Sequence, residues 1–315
     1  MKESKINISV VIPIYNEEEN VALLYESITK VMSKLKNSYE IIMVDDGSKD
    51  KTLSILRAIQ KKDFHLRVIK FRGNFGQSAA MAAGFEAARG ENVVAMDGDL
   101  QNDPNDIPML LKKLDEGYDV VSGWRKNRKD KLILRKLPSK IANRIICSVT
   151  GVELHDTGCS LKAFRKEVIK RISLYGELHR FIPALAKLEG AKITEVVVNH
   201  RARKFGESKY NITRTFRVIM DLTSLNLFIK HLRNPLRFFG GLALVSMFFA
   251  ILATILAGTI WLNSSYDISS FNILLTLIFL MIVTTFQFLF IGLLAALIVH
   301  TGKKKLFYLV DTQLK

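Results

Sequence analysis

Two stretches without a charged side chain, Phe238 to Leu262 and Ile273 to Val299, constrain this chain of 315 residues more than any other feature. Each exceeds the roughly 20 apolar residues that cross a hydrocarbon core about 30 Å thick. A core helix of a soluble protein rarely stays apolar on every face over such a length. Two membrane spans, 238–262 and 273–299, are therefore expected. Between them, Asn263 to Asn272 form a short polar turn whose one charge is Asp267. Arg233 and Arg237 precede the first run, and Lys303, Lys304 and Lys305 follow the second. The positive-inside rule then places both flanks, and with them both termini and the large amino-terminal region, in the cytoplasm.

The rest of the chain is basic. Its 46 Lys and Arg against 30 Asp and Glu give a formal charge of +16. Nucleic acid is one partner for such a surface, but the basic residues crowd next to the spans, which favours anionic membrane lipid and argues against nucleic acid. Between Tyr210 and Arg233, Arg214, Arg217, Lys230, His231 and Arg233 interleave with Phe216, Ile219, Leu222, Leu225 and Phe228, as in a helix lying in the membrane interface. Arg125 to Arg144 has the same character. Met1 to Lys5 lead straight into a strand-like run, so no secretory leader is expected. The two cysteines, Cys147 and Cys159, read as small buried hydrophobes in a reducing compartment.

Up to about Val198, short apolar runs alternate with segments of helical period. Ile8–Ile12, Ile41–Val44, Leu66–Ile69, Val93–Met96 and Val120–Val121 read as strands. Asn20–Leu35, Thr52–Lys62, Gln77–Ala88 and Ile107–Glu116 read as helices, with Asp50 and Ser78 as candidate caps. Such alternation predicts an α/β domain, a mainly parallel sheet covered on both faces.

Parallel strands deliver their carboxyl ends to one rim, where open α/β sheets bind ligands. After the first strand come Pro13-Ile14-Tyr15-Asn16-Glu17, after the second Asp45-Asp46-Gly47-Ser48, and after the fourth Asp97-Gly98-Asp99-Leu100-Gln101. The third ends in Arg72-Gly73-Asn74-Phe75-Gly76-Gln77, a glycine-rich turn opening a helix, whose N–H groups favour an anion. Hard oxygen ligands at Asp97, Asp99 and Gln101 suit Mg²⁺ or Mn²⁺ carrying a diphosphate. An EF-hand is excluded, since Asn102 stands where that loop needs Gly and Pro108 where it needs Glu. Neither GxGxxG nor a Walker motif occurs.

Val11 to Glu17, Val44 to Ser48 and Asp97 to Gln101 together resemble the GT-A glycosyltransferases of family 2. The DxDxQ form, Arg72 to Gln77, Asp156-Thr157-Gly158-Cys159 and Gly206-Glu207-Ser208-Lys209 are similar to its polyprenyl-phosphate branch, the relatives of dolichyl-phosphate mannose synthase. A carboxyl-terminal pair of membrane helices matches the bacterial enzymes that make undecaprenyl-phosphate sugars. The resemblance implies a Rossmann-like GT-A domain over 1–209, amphipathic interface helices over 210–235, a two-helix hairpin over 236–302 and a cytoplasmic tail over 303–315. It implies residence in the bacterial cytoplasmic membrane. It also implies inverting transfer of one sugar from a nucleotide sugar to undecaprenyl phosphate, for modification of the cell envelope.

Carried over by residue, Pro13, Tyr15, Glu17, Gln77 and Gly98 line the donor pocket, Asp46 reads the base and Asp45 supports it. Asp97, Asp99 and Gln101 hold metal and diphosphate. Arg125, Arg135, Lys140, Arg203, Ser208 and Lys209 receive the acceptor phosphate. Asp156, Arg125, Arg203 and Lys209 make up the catalytic set. Plainer roles exist for some of these: Pro13 and Tyr15 as turn formers, Asp45 as a cap, Arg203 as a lipid-facing charge, and His179 as a local hydrogen bonder.

A hydroxyl acceptor must lose a proton as it attacks and needs a base. A lipid monophosphate, with a second pKa near 6, does not. Asp156 is therefore expected to order the site rather than to deprotonate the acceptor. UDP-glucose is the favoured donor, with UDP-N-acetylglucosamine or GDP-mannose as alternatives. Two rival classes are a processive or hydroxyl-directed transferase, disfavoured by the missing QxxRW motif, and a non-catalytic adaptor that recruits a partner such as a flippase. A homo-oligomer packed through the spans and Phe307 to Leu314 is a further expectation.

Overall fold

The computed structural model of the chain describes residues 6–126, 151–172, 174, 176, 178–201, 235–263 and 272–302. They fall into two compact units, one built on a sheet and one on two long helices. The expected basic helix over 210–233, most of 125–144, Cys147 and the tail lie outside the described residues.

The first unit holds β1 (Ile8–Ile14), β2 (Tyr39–Asp45), β3 (Leu66–Lys70), β4 (Asn92–Ala95), β5 (Val120–Trp124), β6 (Lys162–Arg165) and β7 (Ile193–Val197). They form one sheet in the order β3-β2-β1-β4-β6-β5-β7. β1 to β4 are mutually parallel and β7 runs parallel to β5, while β6 pairs antiparallel with both β4 and β5. The expected mainly parallel α/β sheet is what forms. β6, inserted between β4 and β5, is the departure from simple alternation.

Strand periodicity divides the core. Ile8, Val10 and Ile12 pack with Leu24 and Ile28 of α1 (Val21–Met32), Leu56 of α2 (Thr52–Gln60) and Leu110 of α4 (Ile107–Asp115). On the other face, Val11, Ile42 and Val44 meet Ala80, Met81 and Phe85 of α3 (Gln77–Ala87), Val168 of α5 (Lys166–Ile169) and Ile182 of α6 (Ile182–Leu188). Residues of β1 thus alternate between two buried layers, which is why β1 reads as a continuous apolar run. Asp50 does bind a free N–H of α2, accepting from Thr52 at 3.0 Å. Ser78 is not a cap: Gly76 holds that position, and the Ser78 hydroxyl is buried against His179.

The second unit is an antiparallel pair, α7 (Pro235–Asn263) and α8 (Asn272–Gly302). The Ser246 hydroxyl donates to the Met281 carbonyl at 2.9 Å, and Gly292 lets α8 approach Phe239. Only 11% and 17% of the most apolar windows are buried within the pair. Helices this apolar and this exposed are candidate membrane spans and differ from the mostly buried core helices of a soluble protein.

Candidate active site

The carboxyl ends of β1 to β4 lie at one rim, where the loops after β1 and β2 are zipped together. The Asn16 N–H donates to the Ser48 hydroxyl at 2.9 Å, Lys49 N–H to the Asn16 side chain at 2.8 Å and Glu17 N–H to Thr52 at 2.9 Å. Asn16 takes φ +52°, a left-handed conformation that Asn tolerates better than most residues. Tyr15 and Glu17 flank it, while Pro13 lies past the last β1–β4 pair, Val11 with Ala95, so its missing N–H costs that ladder nothing.

Asp45 is fully buried. One carboxylate oxygen accepts the Ser48 N–H at 3.1 Å, and the other has no partner among the described residues. Asp46 lies beneath the glycine-rich turn, its two oxygens accepting from Phe75 N–H at 2.7 Å and Gly76 N–H at 2.9 Å. With 3% exposure, Asp46 is engaged in shaping that turn. Gly47 permits the arrangement: at φ +72° a Cβ would sit 2.6 Å from the Gly73 carbonyl carbon. Gly47→Ala is expected to cost about 2 kcal/mol through left-handed strain alone. A thermal unfolding midpoint unchanged from the parent would contradict this.

Gln77, first residue of α3, donates from Nε2 to Asp97 at 2.7 Å, joining the third and fourth rim loops. Asp99 accepts the Gln101 N–H at 3.2 Å across Leu100, which is held at φ +61°. Gly98 sits against Ile14 and the Pro13 carbonyl, too close for a side chain. Burial and the adjacent Asp99 charge push the Asp97 carboxyl above the usual range. Two carboxylates that repel each other in this way suit a divalent cation. Among the described residues no third His, Cys, Asp or Glu joins Asp97 and Asp99 in a cluster that could hold one. The Gln101 side-chain amide N–H is directed toward the Arg201 carbonyl, at 3.5 Å.

Arg125 follows β5 and meets Asp156 in a two-pronged ion pair, Nε to Oδ2 at 2.7 Å and Nη2 to Oδ1 at 3.0 Å. The side chains are 11% and 16% exposed. Gly158 N–H and Arg125 N–H donate to the same carboxylate. Burial raises the Asp156 carboxyl, but the Arg125 hydrogen bonds and charge outweigh it and hold the group below the usual range. Both oxygens are thus engaged by Arg125. Arg135, Lys140, Arg203, Ser208 and Lys209 lie outside the described residues. His179 is buried and bonded to Ser78 at 2.8 Å.

Three groups escaped the sequence reading. Asn102 accepts from Asp97 N–H at 3.2 Å and from the Ser160 hydroxyl at 2.9 Å, tying the Asp97–Gln101 loop to the 156–160 turn. Residues 199–201 hold the segment after that loop from the other side. Asn199 donates twice to Asp106, at 2.7 and 2.9 Å, His200 bridges Asn102, and Arg201 pairs with Asp103 at 2.6 Å. The third is Lys162, a buried lysine on β6. The contacts of Asn102 with Ser160 and of residues 199–201 with Asp103 and Asp106 join segments far apart in sequence, and no local pattern marks them.

A model of the family described as glycosyl transferase family 2 matches residues 9–173, more than half of the chain. The chain belongs to that family. Among relatives, a dodecaprenyl-phosphate galacturonate synthase from Rhizobium johnstonii is 43% identical over 94% of this chain and 88% of its own length. An undecaprenyl-phosphate 4-deoxy-4-formamido-L-arabinose transferase from Photorhabdus laumondii is 42% identical over 68% of this chain and 66% of its own. Among solved structures, glucosyl-3-phosphoglycerate synthase from Mycobacterium tuberculosis with Mn²⁺, UDP and phosphoglyceric acid superposes with a TM-score of 0.55 at 21% identity, over 71% of this chain and 78% of that one. S. aureus TarS with UDP-GlcNAc gives 0.51 at 19%, over 71% and 67%. The sheet is that of the GT-A fold, and this family 2 protein is a glycosyltransferase.

Proposed function

We propose that this family 2 enzyme transfers one sugar from a nucleotide sugar to undecaprenyl phosphate, with inversion at the anomeric carbon. The observation that carries the reading is the capture of Asp156 by Arg125 through both carboxylate oxygens. A carboxylate so engaged is a poor base, which suits an acceptor already ionised, as a lipid phosphate is at neutral pH. The names of its relatives, a dodecaprenyl-phosphate and an undecaprenyl-phosphate enzyme, support a polyprenyl phosphate as the acceptor class.

In this reading Pro13, Tyr15, Glu17, Asp45, Gln77 and Gly98 bound the donor pocket, and Asp46 acts on it through the Phe75–Gly76 turn. Asp97, Asp99 and Gln101 hold Mg²⁺ or Mn²⁺ together with the donor diphosphate. When bound, the cation neutralises charge on the leaving diphosphate. Arg125, with Arg135, Lys140, Arg203, Ser208 and Lys209, supplies cations that gather two anionic reactants. Attack of a phosphate oxygen on the sugar's C1 from the side opposite the diphosphate inverts that centre.

The catalytic domain, 1–209, works at the cytoplasmic face, held by basic amphipathic helices over 210–235 on anionic lipid and by the hairpin over 236–302, with both termini cytoplasmic. The hairpin is also a surface for self-association, and a flippase would take the lipid product onward.

UDP-glucose is the leading donor. Its test is transfer from UDP-glucose, UDP-N-acetylglucosamine, UDP-galacturonate and GDP-mannose to undecaprenyl phosphate by the full chain in detergent. Turnover with UDP-glucose at least tenfold above the others is expected, and preference for another donor would overturn that choice.

A further inference from the structure

Gln287 is the one side-chain amide in the two charge-free runs, and it is the central residue of α8. At 1.5 Å per residue it stands about 22 Å from either end of that helix, the mid-depth of a spanning segment. Its side chain is exposed on the outside of the α7–α8 pair. The hydroxyls of Thr276, Thr284 and Thr285 donate to carbonyls one turn back in α8, at 2.7, 2.7 and 2.9 Å; Gln287 has no such bond among the described residues. An amide that faces acyl chains leaves two donors and an acceptor unused, because hydrocarbon offers no partner. From mid-depth, about 15 Å from either face of the core, a glutamine side chain is too short to reach water.

The surface around Gln287 is patterned. Leu277, Leu280, Thr284, Gln287, Ile291 and Leu294 follow one another at steps of three and four residues. That is the seven-residue repeat along which two helices pack side by side. The apolar members of this stripe are all exposed. α8 meets α7 through a different set: Ile278 and Thr285 are buried, and Gly292 lies against Phe239 and Leu236. The stripe is left over once the hairpin has formed, with the amide at its centre.

We propose that two copies of the chain pair along this stripe, α8 on α8, with the Gln287 amides hydrogen-bonded to each other across the contact. Two arguments select a second copy as the occupant. Copies inserted in one orientation bring their Gln287 residues to the same depth. An amide is both donor and acceptor, so two identical residues related by a two-fold axis satisfy each other. Neither a lipid tail nor a polyprenyl chain carries a group that could do so. Amides bonded across helices in this way hold membrane helices together. The inference rests on the reading of α7 and α8 as membrane spans, and it gives the self-association proposed above its surface and its polar contact.

The test is sedimentation equilibrium of the full chain in density-matched detergent. It compares the parent with Gln287→Leu, with Gln287→Asn, and with Phe286→Leu as an exposed neighbour off the stripe. Leucine is more apolar than glutamine and favours a helix, so Gln287→Leu removes the amide without weakening the span. The parent should associate reversibly, and Gln287→Leu should raise its dissociation constant about tenfold. Gln287→Asn, which keeps an amide, and Phe286→Leu should stay within about threefold of the parent. A monomeric parent would overturn the proposal, as would association that survives Gln287→Leu or that Phe286→Leu weakens equally. Alkaline carbonate separates the two readings: a parent washed from membranes defeats the spans themselves, whereas a retained parent with association unchanged by Gln287→Leu defeats the pairing alone.

Discussion

Asp99→Ala is expected to lower transfer by about three orders of magnitude, equivalent to about 4 kcal/mol at the transition state. Asp97 and Asp99 are the carboxylates placed to hold a cation, and the described residues offer no third ligand of that kind. Removing one leaves Asp97, already held by Gln77, as a single anchor. The leaving diphosphate then departs without fixed positive charge beside it, the largest electrostatic contribution such a site makes. Overall stability should change little, because Asp99 lies on the rim loop rather than in either apolar layer. The measurement is kcat/KM with labelled donor across a Mn²⁺ titration, with the unfolding midpoint as control. Transfer within tenfold of the parent would remove the metal loop from the mechanism. The same variant separates an enzyme from an adaptor, since an adaptor would keep its partner and have no turnover to lose.

Asp156→Asn is expected to lower kcat about a hundredfold and destabilise the fold by about 3 kcal/mol, the order seen when one partner of a buried ion pair is removed. Arg125 would lose the counter-charge that meets it at 2.7 and 3.0 Å, and one of the two oxygens that accept from Arg125 and Gly158 would become an amide NH2 that cannot accept. The pH dependence separates ordering from base catalysis. The Asp156 carboxyl is held below its ordinary value, so it is ionised throughout pH 5 to 9. Its contribution to stability is fully present above the unfolded pKa of about 4 and is lost only as pH falls through the lower folded value. If Asp156 orders the site, variant and parent share one pH–rate shape between 6 and 9. A variant rate climbing tenfold per unit above pH 7 would mean hydroxide is replacing a lost base, and would refute the ordering role.

Much of the fold was legible in the chain. β1, β2 and β4 are buried on both faces, so Val10 to Ile12 and Ile41 to Val44 read as strands without regard to partners. The rim followed, because parallel strands with helical crossovers expose their carboxyl ends together. β6 was not legible: Lys162-Ala163-Phe164-Arg165 carries a charge at each end and gains strand character only by pairing between β4 and β5. At the site, the acidic rim loops announced themselves as clusters. The Arg125–Asp156 pair did not, since its partners are 31 residues apart and meet through the tertiary fold. The assignment of Asp46 to the base came from resemblance, and only coordinates reveal its carboxylate bound to the Phe75 and Gly76 backbone. Residues 199–201 look like the end of a strand, yet they hold the segment after the metal loop through Asp103 and Asp106 and meet the loop itself at the Gln101 carbonyl.

The most direct test of the account is incubation of the full chain with undecaprenyl phosphate and radiolabelled nucleotide sugar, with Mn²⁺ and with chelator. A lipid carrying one sugar, released by mild acid and absent after chelation, is the predicted result. Label in a polymer or on a hydroxyl acceptor, or no lipid product despite metal-dependent nucleotide binding, would contradict it.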